Sequence, residues 1–320
     1  MQRTLDTSVF ILSLDIELAW GTRGARGEKM RRYYKREREV IGALLDLLAK
    51  YRIGATWAVV GHLFLDGCAP CDGRKHPEII RPSTSGAEAD WFHVDPCSNL
   101  STDPLWYGSD IVKRIQECKV TQEIGCHTFS HVIVGDPQRS EACFDSELKM
   151  CRALAEDVGV QLRSFVFPRD EVGHLAVLKK NGFACYRGRL ARWYIGFPRT
   201  LRRLAHVIDE YLLPGTPAVF STREEGLWNI PGSYVYPYRL SWARWLPISF
   251  RIRKARIGIQ RAIKQRGIYH LWFHPFDLAT DNRLFHGLEE IFKFVDEGRR
   301  RNQLRNLTMG ELATELDGAE

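Results

Sequence analysis

No apolar run in the 320-residue sequence approaches the 18 or more residues that a membrane-spanning helix needs. The opening stretch MQRTLDTSVFILSLDIELAW has an Arg near its start. Its apolar run, however, is broken by Asp15 and Glu17 and meets no small-residue cleavage site. No export signal is therefore expected, and a cytoplasmic location is. The glycines of GTRGARGEKMRRYYKRER, residues 21–38, are not followed by Gly-Lys-Ser or Gly-Lys-Thr, which excludes a P-loop there. Internal repeats and low-complexity segments are missing too, which excludes a solenoid. Acidic residues are the minority charge, 39 against 46 Lys and Arg, and the formal net charge is +7.

That balance favours phosphates, anionic lipid surfaces or nucleic acid as partners without choosing among them. No recognition motif for nucleic acid is present, so none is expected as a partner. With 44% hydrophobic and 27% charged residues, the chain is an ordinary globular one that can bury a large core without staples. Eight cysteines without an export signal read as free thiols of a reducing compartment. Cys68-Ala-Pro-Cys71 is a lone C-x2-C. With His76 or Cys97 it could hold a structural zinc, but no second pair stands at a standard spacing.

Strand and helix signals alternate. Apolar runs at 9–14, 55–60, 165–167, 183–186 and 268–273 read as strands, and another ends at His127. Helical spacing appears at 40–48, 111–118, 148–155, 175–180, 201–212 and 288–295, with a short last element around Leu307 and Leu312. Such alternation predicts parallel strands joined by crossover helices. One catalytic domain over 1–320 is expected. It carries a Gly-, Pro-, Ser- and Asp-rich insertion at about 66–104 and a basic helical segment at about 242–266.

In parallel α/β folds, functional groups gather at the carboxyl ends of strands. Four expected strand ends carry polar candidates: Asp15-Ile16-Glu17, His127, Pro168-Arg169-Asp170 and His274. In EIGCHTFSH, residues 123–131, a helix opening at His127 would put His131 one turn on, with Cβ atoms about 5–6 Å apart. That spacing lets two imidazoles hold one divalent metal; the alternative is two unrelated histidines. Asp15 and Glu17 share a face if the strand continues through them. One would complete a two-histidine, one-carboxylate set, and the other would take a proton from the attacking water.

Asp15-Ile16-Glu17, His127-Thr128-Phe129-Ser130-His131, Phe167-Pro168-Arg169 and Leu271-Trp272-Phe273-His274 stand in the order of the polysaccharide deacetylase family. This is the NodB-homology group, carbohydrate esterase family 4. Ala55-Thr56-Trp57-Ala58-Val59-Val60-Gly61 is similar to that family's second strand. The likeness runs from about residue 9 to 312, and His-[Ser/Thr]-x-x-His after Glu-Ile-Gly is its most specific part. The resemblance implies a distorted (β/α) barrel of about seven parallel strands and metal-dependent removal of an N-acetyl or similar acyl group. It implies His127, His131 and Glu17 as metal ligands, Asp15 as base and His274 as general acid. The ion implied is one divalent metal, Zn2+ first, with Co2+, Ni2+ or Fe2+ as alternatives. Two departures stand out. The family's first motif ends in adjacent aspartates, whereas here a Glu lies two residues from the Asp, so the Asp15 and Glu17 roles could be exchanged. The family's third motif has Arg ahead of Pro-Tyr, whereas here Arg169 follows Pro168. Arg169 is expected to orient Asp15 by a bidentate pair or to offer its backbone N–H to the oxyanion, with Arg163 as the competing candidate.

Residues 21–38 would begin at the mouth of such a site. They read either as a solvated basic run or as a contact for the phosphate of a nucleotide sugar or lipid-linked sugar. From Trp242 to Arg266 no acidic residue occurs, and Ile252, Ala255, Ile259 and Ile263 form a stripe near Trp242, Trp245 and Phe250. That pattern suits a helix lying on an anionic membrane or one covering the barrel. The expectation is a deacetylase of an N-acetylated sugar, nucleotide sugar or lipid-linked glycan in surface polysaccharide or lipopolysaccharide biosynthesis. The alternatives are a small-molecule amidohydrolase using the same metal site, a non-haem Fe(II) oxygenase, and a non-catalytic glycan- or membrane-binding barrel.

Overall fold

The computed structural model describes residues 5–22, 24–70, 72–81, 91–136, 139–189, 194, 196–211, 215–236 and 247–319. Its spine is β1 (Ser8–Ile16), a nine-residue strand buried along its whole length. A run such as SVFILSLDI is apolar on both faces because both faces are covered, as in the centre of a parallel sheet. β1 pairs in parallel with β2 (Thr56–Val59) on one side and β9 (Ile268–Phe273) on the other. β2 continues into β3 (Glu123–Cys126), β4 (Ser164–Val166), β5 (Cys185–Arg187) and β7 (Leu227–Asn229), all parallel. β6 (Thr222–Glu224) runs antiparallel at one edge, β8 (Tyr234–Val235) closes the other, and β10 (Leu304–Asn306) adds to the start of β1. The sheet is curled into a half-barrel, the distorted barrel expected from the sequence.

Helices cover it. α1 (Gly24–Tyr51) contains most of the basic run, for which a solvated surface run or a phosphate contact was expected. Tyr34, Val40, Ile41, Leu44 and Leu48 face inward, whereas Arg31, Arg32, Lys35 and Arg36 face water. The charges are therefore the wet face of an amphipathic helix. α2 (Ser109–Gln116) and α3 (Glu141–Asp157) follow, then α4 (Leu175–Lys180) and α5 (Arg199–Tyr211). In α3 the Ser140 hydroxyl caps the first turn by accepting from Cys143 N–H at 3.1 Å.

α6 (Ile248–Gln265) packs on β1, β9 and α7 (Arg283–Arg300), and α8 (Met309–Gly318) ends the described chain. Ala255 and Ile259 are fully buried and Ile252 and Ile263 half-buried, so the stripe of α6 covers the sheet. Trp242 and Trp245 lie outside the described residues. With that stripe occupied, α6 offers a lipid surface, among the described residues, exposed cations such as Arg253, Arg261 and Lys264. Charge of that kind is screened within about 8 Å at 0.15 M salt. In vesicle sedimentation we therefore expect no retention on anionic lipid at that salt; retention there would restore the membrane reading.

Candidate metal centre and acid–base site

The carboxyl ends of β1, β3, β5 and β9 meet on one side of the sheet. Asp15 is the penultimate residue of β1, and Glu17 follows the strand; both are buried. Glu17 Oε1 lies 3.2 Å from His127 Nε2, 3.1 Å from His131 Nε2 and 3.2 Å from His274 Nε2. Glu17, His127 and His131 form one group close enough to share a cation, and Asp15, Glu17 and His274 form an adjoining one.

The His127/His131 pair arises differently from expectation. No helix opens at His127. The chain leaves β3 and turns through Thr128 and His131, both left-handed at φ 60°. The turn is held from α3: the buried Glu147 carboxylate accepts Phe129 N–H at 2.8 Å, Ser130 N–H at 2.8 Å and the Ser130 hydroxyl at 2.6 Å. The left-handed residues keep the segment out of a helix, and a side chain from α3 takes N–H groups that would otherwise be left unpaired. The two imidazole centroids still end 5.0 Å apart.

His127 Nδ1 stands 2.7 Å from the Val166 carbonyl, which can only accept. Nδ1 therefore carries the proton, and Nε2 presents its lone pair to Glu17 Oε1. A carboxylate oxygen and an imidazole lone pair facing each other at 3.2 Å repel unless a cation or a proton lies between them. Burial raises the Glu17 carboxyl, but the surrounding imidazoles, His274 foremost, outweigh it and hold the group well below the usual range. Two imidazoles and a carboxylate suit Zn2+, with Co2+, Ni2+ and Fe2+ chemically admissible.

Asp15 is paired, but not with Arg169. Arg187, the last residue of β5, donates to Asp15 Oδ1 at 2.8 Å and to Oδ2 at 2.7 Å. It also reaches the Ser13 hydroxyl at 3.0 Å and Asp170 at 3.4 Å, and its guanidinium lies 3.9 Å over the Trp272 ring. Arg169 is exposed and left-handed at φ 56°, and it lines the groove beside the site rather than pairing with Asp15. Arg163 precedes β4, at the end of the sheet away from Asp15. β2, β3 and β4 lie between β1 and β5 in the sheet, so it is the curl that brings Arg187 to Asp15. Burial raises the Asp15 carboxyl, but Arg187 overrides it and leaves the group below its ordinary value. Behind them the buried His270 bonds the Ser13 hydroxyl at 2.8 Å, and burial together with Arg187 pushes its pKa down to about 3, so it stays neutral.

His274 follows β9, with its side chain one quarter exposed toward the open side. Its Nδ1 is 3.6 Å from Asp277 Oδ2 and its Nε2 is 4.0 Å from Asp15 Oδ2. Burial lowers this imidazole, but Glu17 and Asp277 reverse that and hold it well above its ordinary value. Glu37 of α1 is buried nearby, and burial pushes its carboxyl up.

Sequence reasoning named neither Arg187 nor Asp277. Arg187 directly follows the apolar run ending at Tyr186, a strand end like the other four, and Asp277 lies one turn past His274. Beside Trp272 and Asp170 runs a groove of about 260 Å³, lined also by Arg169, Arg189, Tyr234 and Lys254.

No family profile and no curated protein sequence matches the chain. Solved structures do. One is a proposed polysaccharide deacetylase from Mycobacterium smegmatis, 15% identical, with a TM-score of 0.62 over 100% of this chain and 95% of that one. Another, from Pseudomonas aeruginosa PAO1 and assigned as a polysaccharide deacetylase, is 11% identical with a TM-score of 0.58 over 96% and 89%. A 4-alpha-glucanotransferase from Thermococcus litoralis is 10% identical, with a TM-score of 0.51 over 97% of this chain and 41% of that one. The chain therefore has the fold of the polysaccharide deacetylases, the fold its motifs resemble.

Proposed function

We propose that the chain acts as one catalytic unit, a metal-dependent deacetylase removing an N-acetyl or similar acyl group from a sugar or glycan precursor. The observation that carries this is the convergence of three imidazole Nε2 atoms on Glu17 Oε1 at 3.1–3.2 Å, next to a carboxylate clamped by arginine. Glu17, His127 and His131 would hold the ion. When bound, it supplies a Lewis acid for the acyl carbonyl and makes a water ionisable near neutral pH.

Asp15 accepts the proton of the attacking water. Arg187 keeps that carboxylate ionised and fixes its orientation. Trp272, stacked on the guanidinium, shields the pair from solvent on one face. The Arg169 backbone N–H, just past Pro168 at the end of β4, is the donor we assign to the developing oxyanion. His274, on the open side and backed by Asp277, delivers a proton to the departing nitrogen.

The groove carries Arg169, Arg189 and Lys254 with Asp170, Asp209, Tyr234 and Trp272, a mixture that suits a polar sugar and offers arginine to a phosphate on it. A nucleotide sugar or lipid-linked glycan of surface-polysaccharide or lipopolysaccharide biosynthesis, met in the cytoplasm, fits that chemistry. A small-molecule amidohydrolase would use the same groups without the basic groove.

Release of acetate from N-acetyl sugars, free and phosphate-bearing, tests the reading. His274→Ala is expected to retain the metal and to lose about 10²–10⁴-fold in turnover, as removal of a general acid does. Unchanged turnover would remove His274 from the mechanism. Loss of metal together with turnover would make it a ligand instead.

A further inference from the structure

A second cluster lies behind the His127/His131 turn, outside the acid–base site. His62 follows β2; Cys68, His76 and Asp95 come from the 66–104 insertion. We propose that these four side chains bind a structural Zn2+ that bolts the insertion to the floor of the catalytic site. The proposal stands independently of the deacetylase reading.

The donor atoms outline a tetrahedron. His62 Nε2 is 3.1 Å from His76 Nε2 and 3.5 Å from Asp95 Oδ2, and His76 Nε2 is 3.3 Å from Asp95 Oδ2. Cys68 Sγ is 3.9 Å from His62 Nε2 and 3.7 Å from Asp95 Oδ2. The remaining edge, Cys68 to His76, falls within 4.8 Å. Bonds of about 2.0–2.1 Å to N and O and about 2.3 Å to S give tetrahedral edges of about 3.3 Å and about 3.5 Å. The side chains already stand close to that spacing.

Proton positions point to a cation. His62 Nδ1 is 3.1 Å from the Trp106 carbonyl, an acceptor only, so Nδ1 is protonated and Nε2 carries the lone pair. His76 Nδ1 is 3.3 Å from the Glu78 carboxylate, which sets the same tautomer. Two Nε2 atoms thus face each other at 3.1 Å with a buried carboxylate beside them, an arrangement that needs a shared cation or a proton between them. Each remaining donor atom is oriented from behind, as metal ligands are. Asp95 Oδ1 accepts Cys97 N–H at 2.9 Å, which turns Oδ2 inward. The Tyr107 hydroxyl accepts Ser98 N–H at 2.8 Å, leaving its own proton for Cys68 Sγ at 3.3 Å. A thiolate and a carboxylate would neutralise a divalent ion, so the buried site carries no net charge. Cys97 Sγ, 3.4 Å from Cys68 Sγ, is left outside the four. Cys71, the other half of the C-x2-C, lies outside the described residues.

The site's position gives it a use. Gly61 N–H donates to the Thr128 carbonyl at 2.8 Å and His62 N–H to the Phe129 carbonyl at 2.9 Å, within the turn that presents His127 and His131. The Phe129 ring packs against both His62 and His76. An ion here therefore braces the catalytic turn from the rear without touching substrate.

Elemental analysis and zinc-edge X-ray absorption on the full chain, purified under reductant, test the proposal. We expect at least one zinc ion per chain with a Zn–S shell at about 2.3 Å, which the sulfur-free Glu17, His127 and His131 set cannot supply. In the cobalt-loaded protein, a thiolate-to-cobalt charge-transfer band in the near ultraviolet should disappear in Cys68→Ser and persist in Cys97→Ser and Glu17→Gln. Absence of sulfur from the wild-type zinc shell would overturn the proposal, whether or not Cys68→Ser folds. So would a Cys68–Cys97 disulfide in a parallel preparation alkylated at lysis without reductant, found by peptide mass mapping.

Discussion

Replacement of Arg187 by Met lowers stability by about 3–5 kcal/mol, the cost of leaving one member of a buried ion pair unpartnered. Asp15 would lose both guanidinium hydrogen bonds while its side chain stays 3% exposed. Burial would then act on Asp15 against only the weaker pull of His127 and His274, and the carboxyl would rise and be less available as a base. Turnover should fall for that reason even in the folded fraction. Arg187→Lys separates charge from geometry. It restores a cation but cannot supply the fork, so stability should recover more than turnover does. Thermal unfolding beside acetate release per folded molecule reads both. A variant with wild-type turnover would mean that Asp15 needs no partner to act.

The second large effect is expected of Asp15→Asn. The amide can still accept one hydrogen bond from Arg187 but cannot take a proton, so turnover should drop by about 10²–10⁴-fold. Metal content should be unchanged, because Glu17, His127 and His131 remain. The pairing in the structure divides the two carboxylates: Asp15 is committed to Arg187, and Glu17 to the histidines. If Asp15→Asn loses the metal and Glu17→Gln keeps it, the roles are exchanged. Metal analysis of the two variants decides between these assignments in one experiment.

Much of this arrangement was legible because the central strands are apolar on both faces. β1, β2 and β9 stand out as unbroken runs, and the polar residues that follow them are conspicuous. β6, β7 and β8 were not anticipated; they hold two or three residues each, and Thr222–Glu224 has no apolar pattern at all. The His127/His131 turn was misread as a helix because an i, i+4 spacing fits both, and the difference is made by Glu147, far along the chain. Arg187 was passed over for Arg169 because local sequence ranks by proximity to a motif, whereas the curl of the sheet decides reach. The zinc reading of Cys68 and His76 missed His62 and Asp95, since neither belongs to any regular ligand spacing.

The pairing of β1 with β9 and β10 also has a consequence for how the protein is made. β1, ahead of the other described strands in the chain, must wait for residues 268–306 before both its edges are filled. His274 joins Glu17 only at that stage, so a nascent or prematurely terminated chain carries a sticky, catalytically inert half-sheet. Such late closure of distant segments is slow and prone to aggregation, and overexpression yield should respond to chaperone supply more than to inducer strength.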